Sequence, residues 1–126
     1  MKQLILFLFF SLPFLNISQV FRENYRTTKL EICDAKDNLI FVTDTTDIDL
    51  LVTNDSLILS NRETKHNSIY VFGSILKNTK KVRTWTSKNP LETGVIVFYL
   101  QEKEENQYVF YIFFENVTYR YYCVEI

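Results

Sequence analysis

Hydrophobic and polar positions alternate with a period of two along most of this chain. Leu30 and Ile32 alternate with Lys29 and Glu31 over 27–33, the pattern of a half-buried strand. A turn cluster at 34–38 leads into a mostly apolar strand, 39–43. Asp44, Thr45, Thr46 and Asp47 reverse the chain, because Asp and Thr side chains bond nearby backbone amides in turns. Ile48, Leu50 and Val52 then alternate with Asp49, Leu51 and Thr53. Asn54 and Asp55, residue types that tolerate positive φ, turn the chain into the returning strand 56–60. A polar connection, 61–67, holds Arg62, Lys65 and His66. The fifth strand spans 68–76, with Gly73 marking a bulge or bend. Lys77 and Asn78 turn the chain into a polar, basic strand, 79–86, and 87–93 is a loop containing Pro90.

Three dense apolar runs follow, 95–100, 108–114 and 117–124, separated only by 102–106 and 115–116. Aromatic and β-branched bursts with short polar breaks predict an antiparallel three-stranded meander. No stretch of ten or more residues keeps the 3.6-residue period of an amphipathic helix. The chain therefore reads as all-β: a small antiparallel β-barrel or two-layer β-sandwich of eight or nine short strands ending in the meander. Within the meander neither face is polar. Ile96, Phe98 and Leu100 oppose Val95, Val97 and Tyr99, and Tyr108, Phe110, Ile112 and Phe114 oppose Val109, Tyr111 and Phe113. A small barrel fills only its interior, so the outer face calls for a cover: the segment around Val20, Phe21 and Tyr25, a second sheet, or a partner subunit.

The first residues change the picture of where the domain begins. Lys2 followed by an apolar run over 4–15 has the length of a signal-peptide core and is too short for a membrane span of about 20 residues. The reading is a cleaved signal peptide over 1–18 and one β-domain over 19–126, exported to a periplasmic or extracellular location with no stable membrane span after cleavage. Its two cysteines, Cys33 and Cys123, are then expected to form a disulfide, which favours a barrel whose first and last strands meet.

Charge is segregated. Over 62–88, Arg62, Lys65, Lys77, Lys80, Lys81, Arg83 and Lys88 face the single acid Glu63. Lys80, Lys81, Arg83 and Trp85 form the candidate binding set, a basic hairpin with an indole suited to an interface. Nucleic acid is not the expected partner, because the chain carries a formal net charge of −1 and reads as exported.

Catalytic signals are absent from the pattern. His66 is the one imidazole and sits in a polar connection. Two glycines leave no phosphate loop, and no Gly-x-Ser-x-Gly elbow occurs. Asp44, Asp47, Asp49 and Asp55 lack calcium-loop spacing and read as turn formers. No metal or cofactor is expected. The function expected is non-enzymatic binding of another protein or a cell-surface component, with self-association through the apolar C-terminal sheet. The alternative is carriage of a small apolar ligand inside the barrel.

Overall fold

The computed structural model describes residues 22–44 and 47–126. The expected leader at 1–18, together with Val20 and Phe21, lies outside the described residues. The elements are β1 (Arg22–Asp34), β2 (Leu39–Thr43), β3 (Ile48–Thr53), β4 (Ser56–Asn61), β5 (Asn67–Asn78), β6 (Val82–Ser87), the helical turn α1 (Pro90–Thr93), β7 (Val95–Glu104), β8 (Gln107–Phe114) and β9 (Val117–Glu125). Every strand pairing is antiparallel, in the order β1-β3-β4-β5-β6-β7-β8-β9. β9 then pairs back onto β1, from Tyr25↔Glu125 to Asp34↔Val117. The result is a closed eight-stranded barrel with β2 as an extra strand; the sandwich reading is set aside.

The extra strand has a simple origin. Tyr25 pairs with both Leu50 of β3 and Glu125 of β9, and Leu30 pairs with both Thr43 of β2 and Tyr121 of β9. β2 and β3 therefore share one edge of β1 and run in the same direction. Between the pairs Thr43↔Leu30 and Asp49↔Arg26 the sequence has five residues on this side and three in β1. The wall beside β1 is thus split into β2 and β3, and β2 projects past the end of β4.

The chain has an upper end, carrying the β1–β2 hairpin and the β4–β5 and β8–β9 turns, and a lower end, carrying the starts of β1, β4, β6 and β8. Alternation sends Leu50, Val52, Leu57, Phe98, Phe110 and Ile112 into the barrel, all essentially without exposure. Trp85 fills the waist. Its ring stacks on Phe72 at 4.4 Å and lies parallel to Phe110 at 6.2 Å, while Phe98 meets Phe72 edge-on at 5.0 Å. Aromatic packing of this kind leaves the middle of the barrel solid.

Gly73 sits at the expected bulge, where the β5–β6 register slips between Phe72 and Ile75. A Cβ there would stand 2.6 Å from Thr86 Oγ1 and 3.1 Å from the Ser87 carbonyl oxygen. The 54–55 turn forms where expected but by another device. Positive φ among non-glycine residues occurs at Asp37, Lys65 and Asn106 instead. At 54–55 the Thr53 hydroxyl accepts the backbone N–H of Ser56 at 3.1 Å. The expected 87–93 loop contains α1, with Pro90 in its first turn and Gly94 closing it at φ 80°.

Two expectations about covers and staples are corrected. Tyr25 does not shield the outer wall; it is buried inside the barrel. The outer face of β7–β9 is covered instead by its own side chains. Tyr111 stacks on Phe113 at 5.8 Å and meets Tyr99 at 5.4 Å, and Lys29 lies over the Tyr122 ring at 4.4 Å. Val109, an outward residue, is thereby left only 1% exposed. Cys33 and Cys123 are both buried free thiols. Cys33 pairs with Thr118 and Cys123 with Thr27, so five residues of strand, about 17 Å, separate them. They also face opposite sides of the wall: Cys123 belongs to the core cluster, whereas the Arg120 guanidinium touches the Cys33 sulfur on the outside. The first and last strands do meet, through a long backbone ladder and not a disulfide.

Candidate functional site

The two ends of the barrel differ in chemistry. In the ring of eight strands, β1 and β6 are diametrically opposed. Alternation points Glu23 of β1 and Arg83 of β6 inward at the lower end. Their side chains meet across the lumen as a bidentate pair, with nitrogen–oxygen distances of 2.6 and 3.0 Å. The Tyr25 hydroxyl donates to the same carboxylate at 2.6 Å. Burial by itself would raise the Glu23 carboxyl, but the hydrogen bonds from Arg83 and Tyr25 and the charge of Arg83 outweigh it and hold the group below its ordinary value. Burial and the neighbouring carboxylate push the Tyr25 hydroxyl well up. This ion pair closes the lower end.

Among the described residues no such pair spans the upper end. Inward residues there are half-buried, and the lumen opens as two shallow lobes. One, of about 240 Å³, is lined by Ile48, Leu59, Tyr70 and Tyr121, with Asn61, His66 and Ser68 at its rim, and is of mixed polarity. The other, of about 310 Å³, is lined by Gly94, Phe114, Val117 and Tyr119, with Glu115 and Asn116 at the rim. Tyr119 and Tyr121, successive inward residues of β9, line one lobe each. Burial raises the Tyr70 and Tyr121 hydroxyls, reinforced by neighbouring tyrosines. They remain neutral donors at physiological pH. A third cavity, of about 510 Å³, is a groove in the outer wall beside the β1 bulge at Thr28, flanked by Lys29, Lys103 and Tyr122.

Above the upper lobes stands β2. Leu39, Ile40, Phe41 and Val42 are consecutive and each about half exposed, from 48% to 59%. Among the described residues β2 pairs only with β1, so its second edge over 39–42 has no strand against it. Phe41 pairs with Ile32 and shares the inward face of the wall, so its ring belongs to the rim of the open end.

The candidate binding residues do not make one surface. Lys80 and Lys81 lie exposed on the β5–β6 turn. Arg83 and Trp85 point inward, and Trp85 is 1% exposed at the centre of the core. The physical reason is strand parity: in a two-residue period, 83 and 85 share the face that closes the barrel. Polar residues around them hid the inward assignment, because Arg83 finds its partner across the lumen in Glu23. The residues that sequence reasoning missed are those of the upper rim. Leu39, Ile40, Phe41 and Val42 read only as part of a mostly apolar strand, and nothing in a local pattern marks the end of β4 beside them.

His66 belongs to the rim, yet no nucleophile is set up there. Among the described residues no hydrogen bond joins the Ser68 hydroxyl to the imidazole, and no carboxylate lines that lobe to orient it. No group of three His, Cys, Asp or Glu that could hold a metal is present among the described residues, and no helix there is long and apolar enough to cross a membrane. Comparison with protein-family models, curated proteins and solved structures finds no match to this chain.

Proposed function

We propose that this chain is an exported, non-enzymatic binding protein that engages another protein or a cell-surface component through the open apolar end of its barrel. The observation that carries this reading is the asymmetry of the two ends: an ion pair spans the lower one, while the upper one exposes a mainly apolar lobe, a second lobe of mixed polarity and the apolar strand β2. Mouths of β-barrels are preferred binding places, and a lobe of about 240 Å³ takes an apolar side chain or the end of an acyl chain. The solid waist around Trp85 bars a deeper guest. A second reading, carriage of a small apolar molecule, draws on the same lobes, where Ile48, Leu59, Phe114 and Val117 stand beside the neutral hydroxyls of the tyrosines.

Titration with the neutral fluorophore N-phenyl-1-naphthylamine tests the site. The native protein is expected to bind it saturably, and Ser68→Phe, which fills the smaller lobe from its rim, is expected to weaken binding by about tenfold or more. Thr84→Phe, on the outer face of β6, serves as the control and is expected to bind as the native protein does. Absence of binding, or equal binding by Ser68→Phe, would contradict the proposal. Native mass spectrometry separates the two readings: a small molecule that co-purifies with the native protein and is lost from Ser68→Phe favours the carrier.

A further inference from the structure

β4 is six residues long, and the strands on its two sides overshoot it in opposite directions. On one side β2 continues past the upper end of β4, leaving the edge of 39–42 without a strand against it among the described residues. On the other side β5 continues past Val71, its last residue paired with β4, down to Asn78. Over 74–78 that strand has β6 on one edge and no described strand on the other. Both overhangs are apolar and exposed: Leu39, Ile40, Phe41 and Val42 above, Ile75 and Leu76 at 47% and 60% below.

Their charges are opposite. Around β2, residues 34–44 hold Asp34, Asp37 and Asp44 against Lys36, and Asp37 and Asp44 are exposed at the two ends of the strand. Around the lower overhang, residues 74–82 hold Lys77, Lys80 and Lys81, all exposed, and no acid. Pairing two β2 edges would bring carboxylates together, and pairing two β5 edges would bring lysines together. Like charges across a strand pair oppose it, whereas the unlike edges attract. Register slips within both overhangs preclude a long regular ladder, so apolar burial and charge carry the contact alongside a few backbone bonds.

We propose that copies of this chain associate head to tail, the lower overhang of β5 in one copy docking on the upper edge of β2 in the next. The proposal rests on the reading of the open end as a binding surface and names a second copy as its occupant. Such a contact is heterologous, so repetition builds a ring or an open filament and not a closed symmetric dimer. It also assigns the exposed lysines of the β5–β6 turn a role: they steer the lower overhang to the acid-flanked edge and away from its own kind.

Sedimentation velocity of the purified protein over a concentration series tests this. The native protein is expected to form species larger than dimers as concentration rises, and to lose them at about 0.5 M salt, where charges are screened within a few ångströms. Phe41→Glu blocks the upper edge and Leu76→Glu the lower edge, so each alone is expected to remain monomeric. An equimolar mixture of the two retains one good edge of each kind and is expected to form a one-to-one pair that grows no further. Lys80→Glu with Lys81→Glu, placed on an exposed turn where the fold is not at stake, is expected to weaken assembly at least tenfold. A native protein that stays monomeric, assembly by either single variant alone, or a mixture that forms no pair would each overturn the proposal. Monomers that still bind the neutral fluorophore would overturn self-assembly while leaving the open lobe as a binding site.

Discussion

Arg83 and Glu23 lie sixty residues apart and meet at the lower end of the lumen with about a fifth of each side chain exposed. Removing one partner leaves the other's charge buried, which costs about 2–4 kcal/mol for a pair this well shielded. Glu23 titrates below its ordinary value of 4.5 in the folded protein. Its contribution to stability is therefore fully present above the unfolded value and is lost as pH falls below about 4.5 through the folded value. The native protein is expected to lose stability steeply over that range. Glu23→Gln is expected to be less stable at pH 7 and to show a flatter acid limb in urea melts followed by Trp85 fluorescence. Equal slopes would remove the pair from the account. A tryptophan and an arginine two residues apart were legible as one face; which face was not, because an inward arginine is intelligible only once its partner across the barrel is known.

At the scale of elements, the sequence pattern located all nine strands, with boundaries a few residues short at the start of β1 and the ends of β5 and β7; Lys77 and Asn78, expected as a turn, still belong to β5, and β6 starts at Val82 and not at Thr79. Gly73 was legible as a bulge, and its packing gives the reason. Gly73→Ala would force Thr86 to move, and the Thr86 hydroxyl accepts the Ser74 backbone N–H at 2.8 Å. A destabilisation of about 1–3 kcal/mol is expected in chemical denaturation. A change below about 0.3 kcal/mol would show that the β5–β6 wall yields there at little cost. The split of β2 from β3 was legible only as a turn at 44–47. That the two halves lie along one edge of β1 depends on pairings between residues far apart in sequence. The exposure of 39–42 follows from the same pairings, so a mostly apolar strand stands at the rim.

For the whole molecule, closure was anticipated from the wrong cause. A Cys33–Cys123 bridge implied that the first and last strands meet; they meet because β1 and β9 share a ladder from Tyr25 to Asp34, with the cysteines on opposite sides of the wall. Closure then creates what no strand holds alone, a lumen with one plugged end and one open end. Two apolar faces in the meander likewise called for a cover, from the N-terminal segment, a second sheet or a partner, yet tyrosine rings and lysine stems cover much of that face. Consecutive exposed apolar residues lie at the rim and overhangs, Leu39 to Val42 and Ile75 with Leu76. The most direct test of binding at the open end is a two-dimensional amide NMR titration with N-phenyl-1-naphthylamine. Shifts confined to Ile48, Leu59, Ser68, Tyr70, Tyr121 and their neighbours are the expected result. Shifts centred on Glu23 and Arg83, or on the outer groove at Lys29 and Lys103, would contradict it.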